Sequence, residues 1–272
     1  MPDLWTDLLG CLDIAKSTTG GGGTTDFEGR NQQLEYHRVF GGQLLGQFLR
    51  IASLTCPDKF VKSQHAVFTR EGRADEPVRY QAVRAHEGRS FAAVTITATQ
   101  SRGVIATAST SMHTVEGGPE HQVTEDVGPV LGPEHEVALD LIPWETRATV
   151  DLNATTTGPP KFEFWMRTPA VDPDLAPALT AYATDLTLIG TALRPIDGAG
   201  QRGNGTTFTS AVTSHTVWFH RPFRTDGWLL LRQHSPLLAQ GRCFGRGDVL
   251  TDGGVLVASY GQEALLRFAD AE

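Results

Sequence analysis

Two side chains, Asp185 and Gln262, are of the types that handle a water molecule. Asp185 falls within a stretch, Leu179 to Leu193, whose Leu179, Tyr182, Ala183, Leu186, Ile189, Gly190 and Leu193 predict one helix with an apolar face. It sits at the edge of that face, one turn from Tyr182 and from Ile189. A carboxylate half-withdrawn from water can have a raised pKa and serve as a general base. The plainer reading is a surface Asp in an ion pair. Gln262 shares a strand face with Leu256, Ala258, Tyr260 and Ala264. An amide among apolar neighbours needs partners. It can accept from a water and donate elsewhere, which suits orienting a nucleophile, or it can bond to neighbouring backbone. The residues alone leave both pairs of readings open.

Other chemistries find less support. His215 and His220 are five apart, on opposite faces of a strand, so they share no metal by local spacing. No Cys/His cluster and no Gly-x-Ser-x-Gly elbow occurs. The run Ser17 to Thr25 holds four glycines, but no Gly-Lys-Ser/Thr follows, so it is expected to be a flexible surface loop, not a phosphate cradle. The three cysteines, Cys11, Cys56 and Cys243, are scattered and odd in number, which predicts free thiols in a reducing cytosol.

The elements that must position Asp185 and Gln262 come from an internal duplication. Ser214-His215-Thr216-Val217-Trp218-Phe219 echoes Gln64-His65-Ala66-Val67-Phe68-Thr69 at an offset of 150. Gly241-Arg242-Cys243-Phe244 echoes Gly88-Arg89-Ser90-Phe91 at 153, and Val257-Ala258-Ser259 echoes Ile105-Ala106-Thr107 at 152. Three echoes in one order imply a duplicated module. Cys243 stands where the other copy has Ser90, which makes it a small packing residue. The equivalence of His65 and His215 assigns both to the fold. Each copy reads as a buried helix (Leu44 to Ala52 in the first) followed by an antiparallel sheet, an α+β pattern. Strands are expected at about 61–70, 77–86, 89–101 and 104–114, then at Phe162–Arg167 and about 207–221, 227–235, 240–250 and 254–267. A short amphipathic helix is expected over 4–15.

The net charge of −8 is concentrated: residues 115–160 carry nine acidic residues and one basic, Arg147, and the rest balances. This excludes a global basic footprint for nucleic acid. No run of about 18 apolar residues predicts a membrane span, and the first residues lack a signal-peptide pattern. The domain reading is 1–114 as a first module with leading helix and glycine-rich loop, 115–160 as an acidic, partly ordered linker, and 161–272 as the second module.

Several motifs together resemble the acyl-CoA thioesterase II family, a double hotdog in which each long antiparallel sheet wraps a central helix. They are Arg38-Val39-Phe40-Gly41-Gly42-Gln43, Pro119-Glu120-His121-Gln122, Tyr182-Ala183-Thr184-Asp185-Leu186, Trp218-Phe219-His220-Arg221-Pro222-Phe223, and Gly254-Val255-Leu256-Val257-Ala258-Ser259 running into Gln262-Glu263. The resemblance spans roughly residues 30–268. It implies a cytoplasmic enzyme that hydrolyses fatty acyl-CoA to fatty acid and CoA, with CoA as part of the substrate and no retained cofactor or metal. It implies Asp185 as general base, Gln262 as the group that holds the water, and a hydroxyl between them. Gapless counting from Trp218 puts Val212 at the hydroxyl position. A one-residue shift reverses the face a strand side chain points to, and a bulge restores it, so Thr213 is the first choice and Ser214 the second. The acyl chain is expected beside the second helix. Gly41-Gly42-Gln43 and the start of the second helix are candidate oxyanion donors, with close backbone packing the alternative for the glycines. Association into a homo-oligomer is also implied.

Two rival readings accompany this one. An enoyl-CoA hydratase on the same fold needs a His soon after the helical Asp, and none follows Asp185 within the helix. An acyl-CoA-binding protein with little turnover is kept open by Val212.

Overall fold

The computed structural model describes residues 3–19, 23–36 and 38–268. The chain divides into two compact units, Met1–His121 with Asp174–Tyr182 and Thr216–Phe219, and Gln122–Pro173 with Ala183–His215 and His220–Glu272.

The first unit opens with α1 (Leu4–Leu12), β1 (Ala15–Thr19) and β2 (Thr24–Gly29). Asp3 caps α1, its carboxylate accepting from the Thr6 amide at 3.2 Å. Then come α2 (Gly41–Thr55), β3 (Phe60–Phe68), β4 (Val78–Glu87), β5 (Phe91–Gln100) and β6 (Gly103–His113). The strands neighbour one another in the order β1-β2-β4-β5-β6-β3, all antiparallel. The α2 helix lies against β2 through β6. Leu44, Leu45, Phe48, Leu49, Ile51 and Ala52 are all buried, because apolar side chains on nearly every face leave no face for water. The expected loop over 17–25 is corrected at its flanks: Lys16 pairs with Phe27 and Thr19 with Thr25, so these segments form an antiparallel pair. Gly20, Gly21 and Gly22 lie outside the described residues.

The remaining elements are β7 (Glu145–Arg147), β8 (Lys161–Arg167), α3 (Ala176–Thr184), α4 (Leu188–Leu193), β9 (Phe208–Phe219), β10 (Leu229–Ala239), β11 (Arg242–Thr251) and β12 (Leu256–Phe268). Strand order in the second unit is β9-β12-β11-β10-β8-β7. The α4 helix packs against β8, β10, β11 and β12. Helix against long antiparallel sheet, in two copies, is the α+β tandem hotdog that the sequence predicts. No helix among the described residues is long and apolar enough to cross a membrane.

One expectation is corrected where it matters. The single helix over Leu179–Leu193 is two helices, with Asp185, Leu186 and Thr187 in a turn between them. Apolar residues continue at helical steps on both sides, so the periodicity conceals the break. The turn is rich in short polar side chains, which compete with the helical backbone by bonding elsewhere. Thr184 Oγ1 lies 3.1 Å from His215 Nε2, and Thr187 Oγ1 donates to Gln233 Oε1 at 3.1 Å.

Within the acidic segment, residues from Gln122 to Leu131 lie on the second sheet. Val127, Val130 and Leu131 pack on Trp165, Leu230 and Leu250. Gln122 donates to the Gly254 carbonyl at 2.8 Å and accepts from the Leu256 amide at 3.2 Å.

Candidate active site

The turn between α3 and α4 carries Asp185, 4% exposed, and β12 carries Gln262, 3% exposed. Alternation along β12 points Tyr260, Gln262 and Ala264 inward. Gln262 Nε2 donates to the main-chain carbonyl of Asp185 at 3.4 Å, a long and therefore weak bond. A carbonyl just past the end of a helix is among those without an intrahelical partner, so a strand amide is a fitting donor. Gln262 Oε1 has no hydrogen-bond partner among the described residues. The two residues singled out from sequence are thus brought together. The contact runs from the Gln262 side chain to the Asp185 backbone.

Thr213 is placed differently. Its hydroxyl donates to the Glu263 carbonyl at 3.0 Å and approaches the Glu263 carboxylate at 3.4 Å. Glu263 follows Gln262 on β12 and so points to the opposite face. Val212, Thr213 and Ser214 are all partly exposed. On β9, Phe208 and His215 are both buried although an odd number of steps separates them. Strict alternation would send them to opposite faces, so the strand changes phase between them.

This change of phase brings in a residue that sequence reasoning set aside. His215 is 1% exposed, contacts Thr184 next to Asp185, and lies parallel to the Tyr260 ring at 6.3 Å between centroids. Its supposed equivalent, His65, is exposed and bonds to Thr216 Oγ1 at 2.7 Å. The two copies are therefore one residue out of step in which side chain faces inward: Gln64 and Ala66 are buried on β3, His215 and Val217 on β9. The two histidines are thus not equivalent in burial, though each bonds to a threonine of the fold.

Beside the turn lies a second unforeseen group. Gln233 on β10 is 2% exposed and accepts at Oε1 from Thr187 Oγ1 at 3.1 Å and from the Tyr260 hydroxyl at 2.7 Å. Its Nε2 donates to Thr191 Oγ1 at 2.6 Å, and Thr191 Oγ1 donates to the Thr187 carbonyl at 2.9 Å. Burial raises the Tyr260 phenol far above its ordinary range, so it stays a neutral donor. The partners of Gln233 come from α4, the residue before it and β12, so no local pattern in β10 announces the role.

In the Phe40-Gly41-Gly42-Gln43 motif, Gly42 stands in close backbone packing, as does Gly46 one turn on. A Cβ on Gly42 would lie 2.7 Å from the Tyr182 carbonyl oxygen, and one on Gly46 would lie 3.3 Å from that of Ala178. Gly46 lets α2 meet the backbone of α3 near its start, and Gly42 near its end. Cys243 sits among Ala192, Leu193, Phe208, Ala264 and Leu266, and burial pushes its thiol up to about 11. That fits the packing role expected of it.

Matches to known proteins bear on the whole chain. A family model for the acyl-CoA thioesterase C-terminal domain matches residues 118–266, and one for the acyl-CoA thioesterase N-terminal domain matches residues 32–113. Acyl-CoA thioesterase 2 of Haemophilus influenzae is 32% identical over 296 residues, covering 99% of this chain and 100% of that protein. The crystal structure of an acyl-CoA thioesterase II, TesB2 from Mycobacterium marinum, is 29% identical with a TM-score of 0.78, over 97% of this chain and 99% of that one. A hot dog protein of unknown function from Alicyclobacillus acidocaldarius, 17% identical, shares the fold with a TM-score of 0.73 over 96% and 98% of the two chains.

Proposed function

The chain belongs to the acyl-CoA thioesterase II family and is a thioester hydrolase; from that premise we propose that Asp185 and Gln262 together activate the water that attacks an acyl-CoA. Asp185 takes one proton of the water as its oxygen attacks the thioester carbonyl carbon. Gln262 Oε1 accepts the water's other proton in a hydrogen bond and so aims the lone pair. The tetrahedral intermediate collapses with cleavage of the C–S bond. The sulfur leaves as the thiolate of CoA and receives the proton from Asp185, so the products are a carboxylic acid and free CoA. Thr213, in this reading, ties β9 to β12 beside Gln262 and does not touch the water.

The observation that carries the proposal is the division of labour within one amide. The Nε2 of Gln262 is engaged by the Asp185 carbonyl, which fixes the side chain, while its buried Oε1 has capacity for one more donor. A buried acceptor is costly to leave unmet, by about 1–3 kcal/mol, so a water is the natural occupant.

The test is thiol release from acyl-CoA by Asp185→Asn. Removing a general base is expected to lower kcat by about a hundredfold or more, with acyl-CoA still bound and the fold unchanged by circular dichroism. Turnover at the wild-type rate would sink the assignment. An enoyl-CoA arm covers the hydratase alternative: hydration without thiol release would replace hydrolysis as the reaction.

A further inference from the structure

We propose that Gln233 is a positioning residue for the hydrolytic site, acting through Thr187, Thr191 and Tyr260 to hold the turn that presents Asp185. The inference rests on the reading of Asp185 as the base.

The turn needs an external brace. A continuous helix would fix Asp185 by its own hydrogen-bond ladder, but α3 ends at Thr184 and α4 begins at Leu188. Thr187, the residue before α4, makes no side-chain cap to that helix. Its hydroxyl goes instead to Gln233 Oε1, two residues along the chain from Asp185. Gln233 Nε2 holds Thr191, one turn further, which bonds back to the Thr187 carbonyl. One strand side chain thereby grips both the start and the second turn of α4. Tyr260 supplies the second donor to Gln233 Oε1, and it lies two residues from Gln262 on the same face of β12. The network joins the strand that carries Gln262 to the turn that carries Asp185.

Both polar atoms of the Gln233 side chain have named partners, and each hydroxyl of the set donates to an oxygen. Such a closed set in a dry interior fixes one geometry, since any shift leaves a buried group unmet. A catalytic carboxylate must be held within about half an ångström of its working position. A buried Gln on the strand face that also carries Leu229 and Leu231 is a costly choice for packing alone.

The first unit provides an internal comparison. There the Tyr80 hydroxyl donates to Gln47 Oε1, also fully buried, and Gln47 Nε2 bonds to the carbonyls of Cys11 and Arg30, each at 2.9 Å. The bond is of the same kind, but it braces α2 against α1 and the Arg30 segment. Tyr80→Phe and Tyr260→Phe therefore delete the same interaction at two places.

The experiment measures kcat and KM for thiol release from acyl-CoA, with urea midpoints, for wild type, Tyr260→Phe, Gln233→Leu, Gln233→Glu, Tyr80→Phe and Asp185→Asn. Tyr260→Phe and Gln233→Leu are expected to lower kcat at least tenfold with KM within about twofold. Gln233→Glu keeps the acceptor for Thr187 and Tyr260 and should recover part of the loss seen in Gln233→Leu. Tyr80→Phe should lower the urea midpoint by a similar amount to Tyr260→Phe and leave kcat within twofold. If Gln233→Leu does not fold, the milder Tyr260→Phe decides. Normal kcat in Tyr260→Phe, or an equal loss in Tyr80→Phe, overturns the proposal while a dead Asp185→Asn leaves the site reading standing. Full turnover in Asp185→Asn overturns that reading and this proposal with it.

Discussion

The Gln262 side-chain amide donates to the main-chain carbonyl of Asp185, so β12 and the helix break are joined by the residue proposed to hold the water. Structure and chemistry are coupled at that point. Gln262→Leu keeps the bulk and removes both functions. It leaves the Asp185 carbonyl short of a donor and the water short of an acceptor. Each loss is worth about 1–3 kcal/mol, and the second corresponds to roughly a ten- to hundredfold fall in kcat. Steady-state thiol release together with urea denaturation separates the two effects. A lowered midpoint with normal kcat would assign Gln262 to the fold alone.

Gly42→Ala tests the close approach of α2 to α3. An Ala is favoured over Gly in a helix by about 1 kcal/mol. Against that, its Cβ would stand 2.7 Å from the Tyr182 carbonyl oxygen and 2.5 Å from the Phe40 ring. A backbone oxygen cannot swing away as a side-chain end can, and overpacking of this kind costs about 1–3 kcal/mol. The steric effect outweighs the propensity, so the midpoint of thermal unfolding should fall. Gly117→Ala, where nothing lies within 4 Å, is the neutral control. A stabilised Gly42→Ala protein would show that the helices can separate without cost.

Most of this architecture was legible because it rests on local periodicity. Alternation located the strands of both copies to within a few residues, and the all-round apolar pattern of Leu44 to Ala52 marked the buried α2. Asp185 and Gln262 stood out as an acid at the edge of an apolar helix face and an amide on an apolar strand, but only the resemblance to the thioesterase family gave them roles. The helix break at Asp185–Thr187 did not, because Leu186 and Ile189 continue the apolar rhythm across it. The pair β1 and β2 did not either, since Lys16, Ser17 and the threonines of both strands compose loops equally well and Phe27 is the one large apolar side chain between them. The burial of His215 was hidden for a third reason. Matching it to His65 by sequence ignores the change of phase between Phe208 and His215, and a shift of one residue turns an exposed ring into a buried one. Gln233 carries no local signal of its role: its partners come from α4 and β12, and only the folded chain collects them.

A pH dependence of stability follows from the histidines on the second sheet. His220 is shifted below 6.5, chiefly by burial, against the opposing pull of Asp248, to which it is linked through Ser259 Oγ. His234 is shifted the same way, by burial and then by Arg246 and Lys161. Both are bases whose charged form the fold disfavours. Just below the unfolded value of 6.5 the native state therefore binds fewer protons than the unfolded chain, and stability rises with pH through that window. Above 6.5 their contribution is fully present; it is lost as pH falls toward the lowered native value. Urea midpoints measured from about pH 5 to pH 8 should climb with pH and level off above the unfolded value of 6.5, and the climb should be shallower in His220→Gln. Parallel curves for wild type and variant would remove His220 from the account.

The three cysteines should be silent in the native protein. Cys11, Cys56 and Cys243 are buried. Burial pushes the Cys11 thiol up to about 12 and the Cys243 thiol up to about 11, and raises that of Cys56 as well. The thiolate is the reactive form. A thiol at about 11 is ionised to roughly one part in a thousand at pH 8, before any account of access. An aromatic disulfide reagent at pH 8 should therefore label none of the three within the time of a turnover assay, and all three in concentrated guanidinium. Hydrolysis should persist undiminished in the reagent's presence. Rapid labelling of one thiol with matching loss of turnover would point instead to a cysteine nucleophile and a covalent acyl-enzyme, a mechanism that needs neither Asp185 nor a bound water.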